Sequence, residues 1–190
     1  MPSSVVSQIS TIMQIVMASR PRSVLDIGVG FGKYGFLCRE YLELWDGREK
    51  YGQWQHRIDG IEAFAEYVLP LHNMIYDNLY VGDARDILPK LTTKYGLILL
   101  IDVIEHFTLE EGQKLLDICQ QMSDACLVST PLACSDQGEA FGNPYETHRS
   151  QWTTNQFERF DNKIFAPDPG SLIAYLRFDG VQVAANQPAV

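Results

Sequence analysis

The chain has 190 residues, enough for one domain with a sizeable buried core, and 46% hydrophobic and 21% charged residues are the proportions of an ordinary globular protein. A formal net charge of −9, with basic residues scattered along the chain, argues against a nucleic-acid backbone as the main partner. The four cysteines, Cys38, Cys119, Cys126 and Cys134, show no C-x-x-C spacing, so reduced thiols in a cytoplasmic protein are expected rather than a disulfide framework or a structural zinc site.

The N-terminal stretch VVSQISTIMQIVM is apolar but interrupted by Ser, Gln and Thr, and it is too short to span a bilayer. Ile9, Ile12, Met13 and Val16 recur at helical spacing, which predicts a packed helix within residues 1–20 that ends near Arg20-Pro21. SVLDI at 23–27 reads as a strand, followed at once by the glycine loop GVGFG. KYGFLCREYLELW then reads as a helix, with Phe36, Leu37, Tyr41, Leu44 and Trp45 as its apolar side. A turn-rich stretch leads to a second strand, IDGIE at 58–62.

AFAEYVLPLHNMI is expected to be helical, kinked or split at Pro70. DNLYV at 77–81 is a third strand, and Ala84 to Leu91 a short helix or turn. YGLILLI at 95–101 is a fourth strand, apolar at successive positions as in a strand covered on both faces. A helix is expected over 108–122, with Thr108 and Glu111 at the spacing of a capping box. A fifth strand, ACLVST at 125–130, stops at Pro131. Residues 131–150 are read as a loop over the active site, and a short helix is expected near Thr153 to Phe157. Strand-like runs near 159–166 and 171–178 flank the turn Pro167-Asp168-Pro169-Gly170. The pattern predicts one α/β domain over 1–190. Its Rossmann-like, doubly wound sheet of seven strands is mostly parallel and ends in an antiparallel C-terminal hairpin.

In an open parallel sheet, ligands sit at the carboxyl ends of the strands. Here those ends carry Asp26 with the glycine loop, Glu62, Asp83 and Asp102. The set suits a nucleoside. Gly28 and Gly30 let a backbone approach closely. Glu62 can accept both hydroxyls of a ribose, and Asp83 an exocyclic amine, with the amide of Ala84 facing a ring nitrogen. Asp26 and Asp102 would face a cationic part of the ligand, where a pyrophosphate would be a poor partner. The dinucleotide pattern G-x-G-x-x-G fails from Gly28, because its third glycine position holds Lys33; the match from Gly30 starts late relative to the strand end.

VLDIGVGFGKYG resembles the first motif of class I S-adenosylmethionine-dependent methyltransferases. GIEAF, VGDAR and LILLIDVIEHF resemble the second, third and fourth, and VSTPL with NPYETHRSQWT resembles a segment of members that act on small molecules and sugars. The resemblance covers roughly residues 20 to 160. It implies S-adenosylmethionine as cofactor, held by Gly28 and Gly30 on its methionine and ribose side, Glu62 at the ribose, Asp83 and Ala84 at the adenine, and Asp102 at the methionine portion. It also implies a seven-stranded sheet with a reversed last strand. The long segment 46–57 is a departure from the family's usual spacing.

Methyl transfer is an in-line displacement at a carbon already activated by the sulfonium, so alignment and water exclusion are the protein's main tasks. An oxygen acceptor also calls for a base, and His106 and His148 are the candidates. Tyr145, Glu146 and Trp152 are candidates to line the acceptor pocket, while His56 and His72 are read as surface or packing residues. Asp102, Glu105 and His106 alone do not amount to a metal site, so no metal is expected. The acceptor expected is a small molecule, with no nucleic acid and no membrane span. A non-catalytic cofactor-binding module and a nicotinamide-dependent oxidoreductase are the competing readings.

Overall fold

The computed structural model describes residues 4–44, 52–133 and 136–180. Strands β1 (Ser23–Ile27), β2 (Arg57–Glu62), β3 (Asn78–Val81), β4 (Leu97–Ile101), β5 (Ala125–Pro131), β6 (Lys163–Ala166) and β7 (Ser171–Arg177) form one sheet in the order β3-β2-β1-β4-β5-β7-β6. All neighbours pair in parallel except β7, which is antiparallel to β5 and β6. The order doubles back beside β1, and the carboxyl ends of β1 to β4 form one rim there.

Two apolar layers cover the sheet. Leu25, Ile27, Ile98 and Leu100 face one of them, where helix α5 (Leu109–Met122) contributes Leu115, Leu116 and Cys119. Val24, Leu97, Leu99 and Ile101 face the other, with Ile12, Met13 and Val16 of helix α1 (Gln8–Ser19). Every residue of β4 is buried, which explains its unbroken apolar run. α1 ends as expected at Arg20, which takes the left-handed conformation with φ of 47°. α5 starts with the expected capping box: Glu111 N–H bonds to Thr108 Oγ1, and the Glu111 carboxylate accepts from Thr108 N–H at 2.9 Å. Among the described residues no helix is long and apolar enough to cross a membrane.

Two expectations change. Helix α2 (Lys33–Arg39) passes into a π-helical segment, Glu40–Leu44, and buries Tyr34, Cys38 and Leu42 rather than Phe36, which is exposed. The face is rotated because the glycine loop delivers α2 with Gly35 against Tyr76; a Cβ on Gly35 would lie 2.4 Å from that ring. Trp45, expected on the same face, lies outside the described residues. The stretch after β2 is split around Pro70, as expected, but its first part is not α-helical. It is a 3₁₀ turn, Ala65–Tyr67, an extended Val68, and a single turn α3 (His72–Ile75) beyond Pro70. Cys38, Cys119 and Cys126 are free and buried; Cys134 lies outside the described residues.

Candidate active site

β1 runs into a loop in which Gly28, Gly30 and Gly32 all have positive φ, at 74°, 51° and 86°. L side chains rarely adopt that region. At Gly28 an added Cβ would also lie 2.5 Å from Val103 Cγ2, so both conformation and space require glycine. The loop is fastened to the end of β2. Gly28 and Val29 N–H donate to Ile61 O at 2.8 and 3.2 Å, and Gly30 N–H donates to Glu62 Oε2 at 2.9 Å. The long segment before β2 therefore does not separate Glu62 from the loop.

Glu62 is buried, and its Oε1 accepts from Phe64 N–H at 2.9 Å. Burial holds its carboxyl above the ordinary carboxylate range, with the two amides pulling the other way. A carboxylate offers about four lone-pair sites, so these two bonds leave capacity for a ligand's hydroxyls. His72, read from the sequence as a packing residue, is fully buried beneath the loop. Its Nδ1 accepts from Leu69 N–H at 2.9 Å, which leaves Nε2–H to donate to Gly30 O at 3.0 Å. The ring thus sets the position of Gly30.

Asp83 caps helix α4 (Ala84–Ile87) and accepts from Arg85 N–H. Its two oxygens also receive the Arg85 guanidinium, with Nη2 2.6 Å from Oδ2, and this pairing lowers its pKa. Arg85 in turn pairs with Glu111 at 2.6 Å and lies over the Phe107 ring. A ligand amine at Asp83 therefore shares the carboxylate with an arginine, which the sequence does not announce. Ala84 is the first residue of α4, where an amide has no acceptor within the helix.

Asp102 follows β4 with φ of 53°, the left-handed region for a non-glycine residue. Such strain costs on the order of 1–3 kcal/mol and concentrates at functional sites. Gln8, fully buried on α1, donates to Asp102 Oδ2 at 2.6 Å, and Ser129 donates to Gln8 Oε1. Burial raises the Asp102 pKa, and its hydrogen bonds and Lys33 oppose the rise. The N-terminal helix thus aims Asp102 as well as covering the sheet.

The residues after β4 meet the loop 136–152. Arg149 and Ser150 N–H donate to Glu105 O at 2.8 and 3.1 Å, and Ser150 Oγ donates to Phe107 O at 2.7 Å. His106 Nδ1–H donates to Thr147 O at 3.2 Å. His106 and His148 stack at an angle, with ring centroids 5.1 Å apart. Burial is the main cause of a lowered His106 pKa, and it pushes the Glu105 carboxyl up to about 8.

These elements enclose a cleft of about 1370 Å³. Single-ligand pockets run to roughly 1,000 Å³, so there is room for two molecules. Gly28, Gly30, Glu62, Asp83, Ala84, Asp102 and His106 line it, with Tyr145 and Glu146. Asp26, His148 and Trp152 do not. Asp26 lies behind the loop, where its Oδ2 accepts from Tyr76 Oη at 2.6 Å and Gly35 N–H at 3.1 Å. Its burial pushes its pKa up to about 6. Trp152 is buried against Gly112 of α5. Gln8, His72 and Arg85 are the positioning residues that motif reasoning missed. Gln8 and His72 act across the fold, where no local pattern marks them; Arg85 lies two residues from Asp83, and only its bridge to Glu111 is long-range.

No protein-family model matches the chain, and no curated protein does. Solved structures do. A putative O-methyltransferase from Nostoc punctiforme is 17% identical with a TM-score of 0.63, covering 88% of this chain and 54% of that one. The N-terminal domain of EvdMO1 with SAH bound is 14% identical with a TM-score of 0.59, over 88% and 80% of the two chains. Magnesium protoporphyrin IX methyltransferase from Synechocystis with bound SAM is 13% identical with a TM-score of 0.58, over 90% and 78%. With its strand order and reversed β7, the chain has the fold of the class I S-adenosylmethionine-dependent methyltransferases.

Proposed function

We propose that this chain binds S-adenosylmethionine and transfers its methyl group to a small-molecule acceptor. The observation that carries the reading is the bond between Gly30 N–H and buried Glu62, which sets a glycine cradle beside a carboxylate with spare acceptor capacity. The residues fit the cofactor. A Cβ at Gly28 would fill the cradle, and the cleft exceeds one ligand's volume. When bound, S-adenosylmethionine supplies a methyl carbon already activated by its sulfonium. Glu62 takes the ribose hydroxyls, Ala84 N–H and Asp83 the adenine, and Asp102 the methionine portion, where a carboxylate favours a cation.

The acceptor end lies between Tyr145, Phe141 and the exposed Phe31 and Phe36, surfaces suited to an apolar or aromatic body. An oxygen acceptor must lose its proton, and His106, which lines the cleft with the His148 ring behind it at 5.1 Å, is the candidate to govern it. The solved structures that carry SAH or SAM in the same fold support the cofactor.

Calorimetry with S-adenosylmethionine tests this reading. Micromolar binding is expected, weakened at least roughly tenfold in Glu62→Ala and in Asp83→Ala, as for loss of a buried polar partner. No heat with the wild-type chain overturns the proposal. Binding without turnover against a broad acceptor panel would leave a cofactor-binding module.

A further inference from the structure

We propose that Glu105, His106 and His148 form a binding site for one divalent first-row transition-metal ion, on the wall of the cleft where the acceptor would sit. One ligating atom from each side chain lies within 4.8 Å of those of the other two. A tetrahedral ion with bonds of about 2.1 Å places its ligands roughly 3.4 Å apart, so small side-chain movements complete the site.

Three independent features point the same way. Glu105 is 1% exposed, and its Oε2 has no hydrogen-bond partner among the described residues. A buried carboxylate oxygen left unmatched is costly, and a cation is the partner that removes the cost. Next, His106 already has the second contact typical of a metal-ligating imidazole: its Nδ1–H is donated to Thr147 O. That bond fixes the tautomer and leaves Nε2 with a lone pair to give. Lastly, the cluster is built by backbone, not by chance meeting of mobile side chains. Arg149 and Ser150 N–H donate to Glu105 O, and His148 N–H donates to Gln137 O at 2.9 Å. Trp152 Nε1–H, buried below, donates to Ser150 Oγ at 2.8 Å and locks the segment that carries His148.

The donor set selects the ion. Two imidazoles and one carboxylate suit zinc, manganese, iron or cobalt, whereas magnesium prefers an all-oxygen octahedron. Three protein ligands leave coordination positions open, and His106 is the one of the three that lines the cleft. Those positions are therefore available to oxygens of the acceptor. This rests on the methyl-transfer reading for its purpose, though not for its existence, and it makes the two histidines ligands rather than free bases.

The 190-residue chain, freed of any tag and stripped with chelator, is titrated with Co²⁺ while the visible d–d absorption is followed. Uptake of one ion per chain is expected, with affinity falling at least roughly tenfold in His148→Asn and in Glu105→Gln. Thermal melts of each variant show that it folds, and His148→Asn, which removes no buried carboxylate, serves if Glu105→Gln does not. Absence of stoichiometric Co²⁺ uptake by the wild-type chain, or uptake unchanged in His148→Asn, overturns the site. Calorimetry with S-adenosylmethionine on the stripped protein separates the two proposals. Cofactor binding without metal uptake sinks only the site, and metal uptake without cofactor binding sinks only the function.

Discussion

Asp26 shows how one buried acid can serve a site it never touches. It holds Gly35 N–H and Tyr76 Oη from behind the loop, and desolvation raises its pKa from 3.8 to about 6. A carboxyl whose folded pKa lies above its unfolded one stabilises the fold most below about pH 4. That contribution fades as pH rises through about 6. Lowering the pH from 7 to 5 should therefore return about 1 kcal/mol through this group alone. Asn at this position keeps an acceptor oxygen and cannot titrate. Urea unfolding at both pH values should show wild type gaining on Asp26→Asn by that amount as pH falls. An equal response in the two proteins would mean Asp26 does not carry this titration. The pattern D-I-G-V-G placed Asp26 correctly at a strand end, but pattern alone could not say on which side of the loop its carboxylate lies.

At the scale of elements, α5 and the segment after residue 147 depend on one close contact. A Cβ on Gly112 would lie 2.4 Å from Trp152 Cζ2 and 3.2 Å from Ile104 Cγ1. Alanine is the better helix former by about 1 kcal/mol, whereas forcing a methyl into a full core costs about 1–3 kcal/mol. Overpacking wins because Trp152 is buried and has no room to retreat. Gly112→Ala should lose about 1–2 kcal/mol in urea unfolding and shift the tryptophan fluorescence. The capping box of α5 was legible because its two residues, Thr108 and Glu111, lie only three positions apart in sequence. The seat of Trp152 was not, since it depends on a glycine forty positions away. For the same reason the helical periodicity of α2 misled: a π-helical segment and the Tyr76 ring turn its buried face away from Phe36.

For the whole molecule, the cleft joins four strand ends and a loop, with α1 bracing Asp102 through Gln8, so a ligand that fills it should stabilise the entire fold. At a hundredfold excess over its Kd, a ligand that binds only the native state adds about 2.7 kcal/mol. A domain of this length then melts roughly 5–10 °C higher. S-adenosylmethionine should give that shift in a thermal scan, and NAD should give none. The reverse ranking would favour an oxidoreductase on the same sheet.

The strands, their alternation with helices, the glycine loop and the line of acids at strand ends were all legible in the amino-acid order. These are local signals: apolar runs for buried strands, glycine where φ turns positive, a cap three residues ahead of its partner. Tertiary structure decided which of those acids reach the cleft. It alone put Arg85 on Glu111, Gln8 on Asp102, and His72 under Gly30. It also carried His148 across more than forty residues to Glu105 and His106, the approach that makes a metal site worth testing. Each of these depends on contacts between distant segments, whose pairing is fixed only when the sheet order closes.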